Sequence, residues 1–158
     1  MATVVFTLNG ETKSVTTDPG RTVLEVLRED LDVTGAKYGC GEGACRACVV
    51  LVDDKAVTSC QTPLSKIEGK RVVTVEGLAR ADALTPVQQA FIDEGAVQCG
   101  YCVPGMILTA TALLNANPQP TRAQIVNFMD GNICRCTNYP NIIRAIERAA
   151  TQLQGAAK

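Results

Sequence analysis

Apolar and polar positions alternate from Val4 to Leu8, and a polar-rich alternation returns from Thr12 to Thr16, with Asn9-Gly10 between them. A period of two marks a half-buried strand, and Asn-Gly is the pair that two-residue hairpin turns favour. Asp18-Pro19-Gly20 predicts a turn. Thr22 with Glu25 three residues on predicts a capping box, opening one short helix with Val23, Leu24, Val26 and Leu27. Val49 to Val52, an Asp53-Asp54 turn and Ala56 to Ser59 read as a second hairpin, and Arg71 to Val75 as a last strand. Mixed strands with a single helix predict a β-grasp domain over residues 1–76.

The pattern then changes period. Thr85 caps a helix with Pro86 in its first turn, ending near Gly95. A second helix is predicted from Gly105 to Asn115, stopped by Asn117-Pro118. Thr121 caps a third, to Met129, and Pro140 opens a fourth with Ile142, Ile143, Ile146, Ala149, Ala150 and Leu153 on one face. The fold class expected is α+β: a β-grasp domain, a boundary within Glu76 to Leu84, and a C-terminal four-helix bundle domain over 84–158.

Composition narrows the chemistry. In 158 residues the net charge is −1, so there is no electrostatic footprint for nucleic acid. The absence of histidine removes Ser-His-Asp and Cys-His catalysis, His-ligated zinc, His-ligated haem and Rieske centres. The N-terminus has no basic region followed by an apolar run, and the stretch Val103 to Leu114 is too short and interrupted to span a bilayer. A cytoplasmic chain without direct membrane insertion is expected; the alternative is a periplasmic or membrane-associated location reached through a partner chain.

Against that background stand eight cysteines, four in each half. Cys40, Cys45, Cys48 and Cys60 give C-x4-C-x2-C-x11-C; Cys99, Cys102, Cys134 and Cys136 give C-x2-C-x31-C-x-C. Disulfides need an oxidising compartment, and Cys134 and Cys136 are too close to act as independent staples. Structural zinc favours two short knuckles, which the first quartet lacks. The first spacing is that of plant-type ferredoxins, in which four thiolates hold a 2Fe–2S cluster. Gly35, Gly39, Gly41 and Gly43 fit a loop that wraps such a cluster and turns main-chain N–H groups toward its sulfurs. The second quartet is suggestive by itself: its cysteines lie near two predicted helix N-termini, which favour negative charge.

Three segments give the chain a family resemblance: Lys37-Tyr38-Gly39-Cys40-Gly41-Glu42-Gly43-Ala44-Cys45-Arg46-Ala47-Cys48, Gln98-Cys99-Gly100-Tyr101-Cys102-Val103-Pro104-Gly105-Met106 and Gly131-Asn132-Ile133-Cys134-Arg135-Cys136-Thr137-Asn138-Tyr139. In order and over essentially the whole chain, they resemble the small iron–sulfur subunit of the xanthine oxidase family of molybdenum hydroxylases. The resemblance implies a plant-type ferredoxin-like domain and a helical domain, each with one 2Fe–2S cluster. It implies that Cys99, Cys102, Cys134 and Cys136 hold a cluster proximal to the molybdopterin of a large partner subunit. Cys40, Cys45, Cys48 and Cys60 then hold a distal cluster facing the acceptor, a flavin-binding medium subunit with FAD or a c-type cytochrome with haem. By the same resemblance Gln98 hydrogen-bonds the pterin and Cys136 lies beside its amino group. The implied function is electron transfer from molybdenum to that acceptor. Substrate chemistry then belongs to the large partner, with no catalytic residue in this chain. The alternatives are a stand-alone two-cluster ferredoxin, a redox-sensing module, or a zinc-stabilised scaffold.

Two positions depart from the family's usual glycine. Asn138 is expected to adopt the left-handed backbone that asparagine tolerates. Arg46, between two distal-cluster ligands, is expected either to favour the reduced distal cluster and leave the proximal one alone, or to point outward and dock the acceptor.

Overall fold

Asn9 and Gly10 both take left-handed backbone, at φ 51° and 90°, the twist that folds two strands together across a two-residue turn. In the computed structural model they join β1 (Ala2–Leu8) to β2 (Glu11–Thr17), antiparallel with Val4 opposite Val15. The structure describes residues 1–79 and 83–156. The expected boundary between 76 and 84 therefore includes residues 80–82, which lie outside the described set, as do 157 and 158 at the end of the second expected domain.

The predicted capping box between Thr22 and Glu25 is present and starts α1 (Val23–Glu25). The helix widens into a π-turn over Val26–Asp30 that sequence pattern did not signal. A second hairpin joins β3 (Val49–Val52) to β4 (Lys55–Thr58) through Asp53 and Asp54, again both left-handed. β5 (Arg71–Val73) runs parallel to β1 and antiparallel to β3, giving the order β2-β1-β5-β3-β4. This last strand stops two residues short of the expected Val75. Asn9 Oδ1 accepts from the Thr74 amide and Asn9 Nδ2 donates to the Thr74 hydroxyl, both at 2.9 Å, which draws the chain out of the sheet into a 3-10 turn at Val75–Gly77.

Four helices follow among the described residues: α2 (Pro86–Asp93), α3 (Val103–Ala116), α4 (Arg122–Met129) and α5 (Tyr139–Ala156). Capping boxes Thr85–Gln88 and Thr121–Gln124 start α2 and α4. Phe91, Met106, Ile125, Ile142 and Ile146 meet in their shared core. α3 begins at Val103, not Gly105. Pro104 costs it no hydrogen bond, because amides in the first turn have no intrahelical acceptor. The architecture is α+β, a ferredoxin-like sheet half followed by a helical half.

β3 holds the halves together. Val50 and Val52 share a core with Phe6, Leu24, Leu27 and Val72, while Val49 and Leu51 face Leu108 and Ala112 of α3. Buried on both faces, this strand reads as the unbroken apolar run Val49-Val50-Leu51-Val52. At the head of α3, a Cβ on Gly105 would lie 2.3 Å from the Arg46 carbonyl oxygen and 3.2 Å from the Ala47 Cα. Only glycine permits that approach.

Leu108→Ala should lower unfolding stability by ~2–5 kcal/mol, the cost of a fully buried leucine cavity, since Leu108 is 0% exposed between α3 and β3. Thermal or denaturant unfolding checks this. A loss below ~1 kcal/mol would mean that α3 is not seated on β3 in solution.

Candidate metal centres

The loop from Gly35 to Cys48 carries three cysteines of the first quartet between the π-turn and β3. Its base is pinned at two points. The Gly35 amide donates to Glu76 Oε1 at 2.6 Å, and Arg28 Nη1 donates to the carbonyls of Thr34 and Ala36 at 2.8 and 2.9 Å. Gly41 and Gly43, at φ 75° and 80°, turn the loop inward. A Cβ on Gly39 would stand 2.6 Å from Cys45 Sγ, so the chain passes directly against that sulfur.

Inside the loop the sulfurs meet main-chain amides. Cys40 Sγ accepts from the amides of Cys45 at 3.3 Å and Glu42 at 3.4 Å, and Cys45 Sγ accepts from the Cys40 amide at 3.4 Å. The amides of Cys45 and Glu42 draw the Cys40 thiol down to about 7. Cys48 is buried at the start of β3, and Cys60 is buried in the 3-10 turn Ser59–Gln61 that follows β4. Burial, and then the neighbouring Cys48 thiol, push Cys60 up to about 11. Ser59 fixes the two strand ends, its hydroxyl donating to the Cys48 carbonyl at 2.6 Å. The quartet thus forms two pairs, Cys40 with Cys45 and Cys48 with Cys60, and the charge of Cys40 is felt at Cys60.

The second quartet lies among the helix ends. Cys102 caps α3, Cys99 precedes it on the loop from α2, and Cys134 and Cys136 lie on the loop from α4 to α5. The same pairing recurs. Burial and then the Cys134 thiol push Cys102 up to about 12, while the Tyr101 amide and then the Cys136 thiol hold Cys99 below its ordinary value. The N-termini of α3 and α5 open beside this quartet, as the sequence predicted.

Tyr139, which sequence reasoning did not single out, accepts the Cys134 amide on its hydroxyl at 2.8 Å. It closes the third of the quoted segments, yet its residue type suggested no role at the site, because an aromatic at a helix start is ordinarily packing. Asn138 corrects an expectation: the left-handed residue is its neighbour Thr137, at φ 58°. Asn138 is buried instead, and its Nδ2 donates to the Gly95 carbonyl at 3.0 Å, tying this loop to the end of α2. Gln98 is exposed, and its amide has no hydrogen-bond partner among the described residues.

The two quartets adjoin. The Ile133 amide donates to the Cys45 carbonyl at 3.1 Å, and the Tyr101 hydroxyl donates to the Tyr38 carbonyl. A cavity of about 120 Å³ between them is lined by Gly39, Cys45, Cys99, Tyr101 and Cys102, among others. All eight cysteines are free thiols. Among the described residues, no three of His, Cys, Asp or Glu converge on a point that a single ion could occupy. Two thiols beside two thiols is the donor set of a two-iron cluster, in which each iron takes a pair, and amides aimed at the sulfurs are its usual surroundings.

Comparison with known proteins agrees with this geometry. A family model described as a 2Fe-2S iron-sulfur cluster binding domain matches residues 6–79, and one described as a 2Fe-2S binding domain matches residues 74–147. The chain is 46% identical over 147 residues to the nicotinate dehydrogenase small FeS subunit of Eubacterium barkeri, spanning 93% of this chain and 94% of that one. It superposes on quinoline 2-oxidoreductase from Pseudomonas putida 86 with a TM-score of 0.92 at 36% identity, over 98% of this chain and 96% of that one. It also superposes on the aldehyde oxidoreductase of Desulfovibrio desulfuricans with a TM-score of 0.94 at 40% identity, and there spans 17% of the longer chain.

In the metal-free chain, alkylation should order the thiols by environment. Cys40, exposed and drawn to about 7, should react first, with its rate rising through that pH as the thiolate forms. Cys60 and Cys102, held near 11 and 12, should react last. Peptide mass spectrometry after timed iodoacetamide reads the order; Cys102 reacting as fast as Cys40 at neutral pH would contradict the site's electrostatics.

Proposed function

The chain belongs to the xanthine oxidase family as one of its small iron–sulfur subunits, and on that premise we propose how its residues divide the work. It carries two 2Fe–2S clusters and serves electron transfer in an oxidoreductase complex. In our reading Cys99, Cys102, Cys134 and Cys136 hold the cluster nearer the molybdopterin of the large subunit. Cys40, Cys45, Cys48 and Cys60 hold the cluster nearer the acceptor, either a flavin-binding medium subunit with FAD or a c-type cytochrome with haem. Residues 1–76 act as the ferredoxin-like domain and 84–158 as a four-helix bundle domain. We place assembly of the chain in the cytoplasm, where a reducing environment keeps ligand cysteines available for iron.

One observation carries the reading: each quartet comes as two pairs, and the Ile133 amide bonds the Cys45 carbonyl between them. Each cluster, when bound, supplies one-electron chemistry at iron. The residues around it decide what that chemistry is worth. Amides from Glu42, Cys45 and Tyr101 point at sulfur and favour added negative charge. Between Cys45 and Cys134 the chain offers one hydrogen bond and a short run of covalent bonds, with Ile133 preceding Cys134 directly. Exposed Val97, Tyr101, Ile133 and Tyr139 surround the second quartet, an apolar rim suited to a permanent partner that excludes water. Gln98 stands on that exposed side, its amide unpaired among the described residues, and can meet a pterin edge that brings both donors and acceptors.

Four irons and four sulfides per chain are expected, two per quartet as the donor pairs require. Cys45→Ser should disturb only the acceptor-side cluster and Cys134→Ser only the molybdenum-side one. Iron analysis with paramagnetic resonance of the dithionite-reduced protein decides. A single cluster signal lost equally in both variants would overturn the assignment of two quartets, and a fully loaded chain that purifies without a large partner would favour the stand-alone ferredoxin.

Gln98→Ala should leave both clusters assembled. It should weaken molybdenum cofactor retention in the complex, or slow reduction of the nearer cluster, by ~1–3 kcal/mol of lost hydrogen bonding. Unchanged molybdenum content together with unchanged reduction rate would assign Gln98 to the solvated surface.

A further inference from the structure

Glu76 stands outside both cysteine quartets, in the 3-10 turn Val75–Gly77 that leads from β5 toward the helical half. Its carboxylate turns back to the first cysteine loop. Oε1 accepts the Gly35 amide at 2.6 Å, and no cation pairs with this carboxylate among the described residues. The residue as a whole is exposed, but the bond is part-buried. An amide bonded to a carboxylate holds more strongly than one bonded to a neutral carbonyl. The approach also dictates a residue type, since a Cβ on Gly35 would collide with both carboxylate oxygens.

The turn that carries Glu76 is itself held from two sides. The Asn9 side chain bonds the Thr74 amide and hydroxyl, and Gly77 lacks the Cβ that would strike Asn9. On the other side Gln88 Nε2 donates to the Val75 carbonyl at 3.2 Å, while Gln88 Oε1 accepts the Thr85 amide and hydroxyl, each at 3.0 Å, in the capping box of α2. The sheet and α2 together therefore fix where the Glu76 oxygen stands. From Gly35 the constraint passes along the loop. The Lys37 amide donates to the Ala47 carbonyl at 3.2 Å, and Ala47 directly precedes Cys48. The second quartet hangs on other bonds, Asn132 to Thr109 and Asn138 to Gly95.

We propose that Glu76 is a positioning residue for the Cys40–Cys60 quartet: by holding the Gly35 amide it sets the path of the loop that carries three of the four cysteines, and so the geometry of the cluster they bind. This rests on the assignment of one cluster to each quartet. Groups behind the ligands orient them, and their loss costs about 10–100-fold in metal affinity or activity. Glu76 acts here as an acceptor of fixed reach and not as a charge. What position 76 must keep is an oxygen at the end of a side chain of glutamate length. Because the second quartet is fastened by its own bonds, the effect is confined to the first.

The test follows both 2Fe–2S signals of the intact, reduced complex by paramagnetic resonance, the first cluster being identified by its loss in Cys45→Ser. Iron release to a chelator is timed on the same samples. Glu76→Ala should shift or broaden the signal of the Cys40–Cys60 cluster and speed its loss of iron about tenfold, with the other signal unchanged. Glu76→Gln keeps a carbonyl oxygen at the same reach and should hold the wild-type signal. Gly35→Ala should reproduce the Glu76→Ala signal, and combining the two should add little, because the carboxylate that the new Cβ would strike is gone. Should Glu76→Ala fail to load its first cluster, Glu76→Asp, whose acceptor falls short by one methylene, must show the same selective change in milder form. Equal effects on both clusters, a Glu76→Gln variant as damaged as Glu76→Ala, or a lowered unfolding temperature with both signals intact overturns the proposal. Failure of the underlying assignment is distinguishable, because the unmodified complex would then lack two separate signals.

Discussion

The closeness of one contact governs the rest of this molecule: Gly105, in the first turn of α3, lies directly on the backbone of Arg46 and Ala47. No side chain fits between them. Because α3 approaches there, Cys102 at its start is carried up to the first cysteine loop, and Val49 and Leu51 of β3 can close over Leu108 and Ala112. The second loop follows, since Asn132 bonds Thr109 of α3 at 3.1 Å and Ile133 bonds the Cys45 carbonyl. Two cysteine quartets far apart in sequence become neighbours through a single missing methyl group.

The local environments of the thiols then follow from which backbone surrounds them. Where the chain is glycine-rich and open, amides turn inward and stabilise thiolate, as at Cys40. Where strand ends or helix cores supply the ligand, burial dominates and disfavours charge, as at Cys60 and Cys102. Each quartet joins at least one thiol of each kind, Cys99 standing to Cys102 as Cys40 does to Cys60. Such a set is poorly satisfied as free thiols and well satisfied as ligands, because bonded iron removes the protons that burial would otherwise retain.

Arg46 and Asn138 stand where the resemblance leads one to expect glycine, and they fill the space differently. At position 46 the backbone is left-handed, so the usual glycine has a conformational reason and arginine is held there against preference. Its side chain gains a seat on Gly131, itself at φ 89° and without a Cβ to obstruct it. At position 138 the backbone asks for nothing unusual. The asparagine uses its amide to fasten the second loop to the end of α2.

Much of this was legible in the order of residues. Hairpins announced by Asn9-Gly10 and Asp53-Asp54, helix starts at Thr22, Thr85 and Thr121, and two cysteine spacings with distinct signatures are all local, and local chemistry is written in consecutive letters. The ends of elements were less legible where a distant partner intervened: β5 stops early because Asn9 captures Thr74, and α3 starts early because a proline is free in a first turn. What the sequence could not disclose was anything set by side chains meeting once the loops close. That Tyr139 would fold back on the Cys134 amide depends on the turn of its own loop. That Asn138 would bind Gly95, and that Arg46 would leave its own loop for Gly131, depends on packing distances of a few ångströms between segments remote in the chain. Residue order determined which groups the protein possesses and what each segment does alone. Only the closed tertiary structure decided which of those groups share a site, because that is settled by the shape of the surfaces that come together.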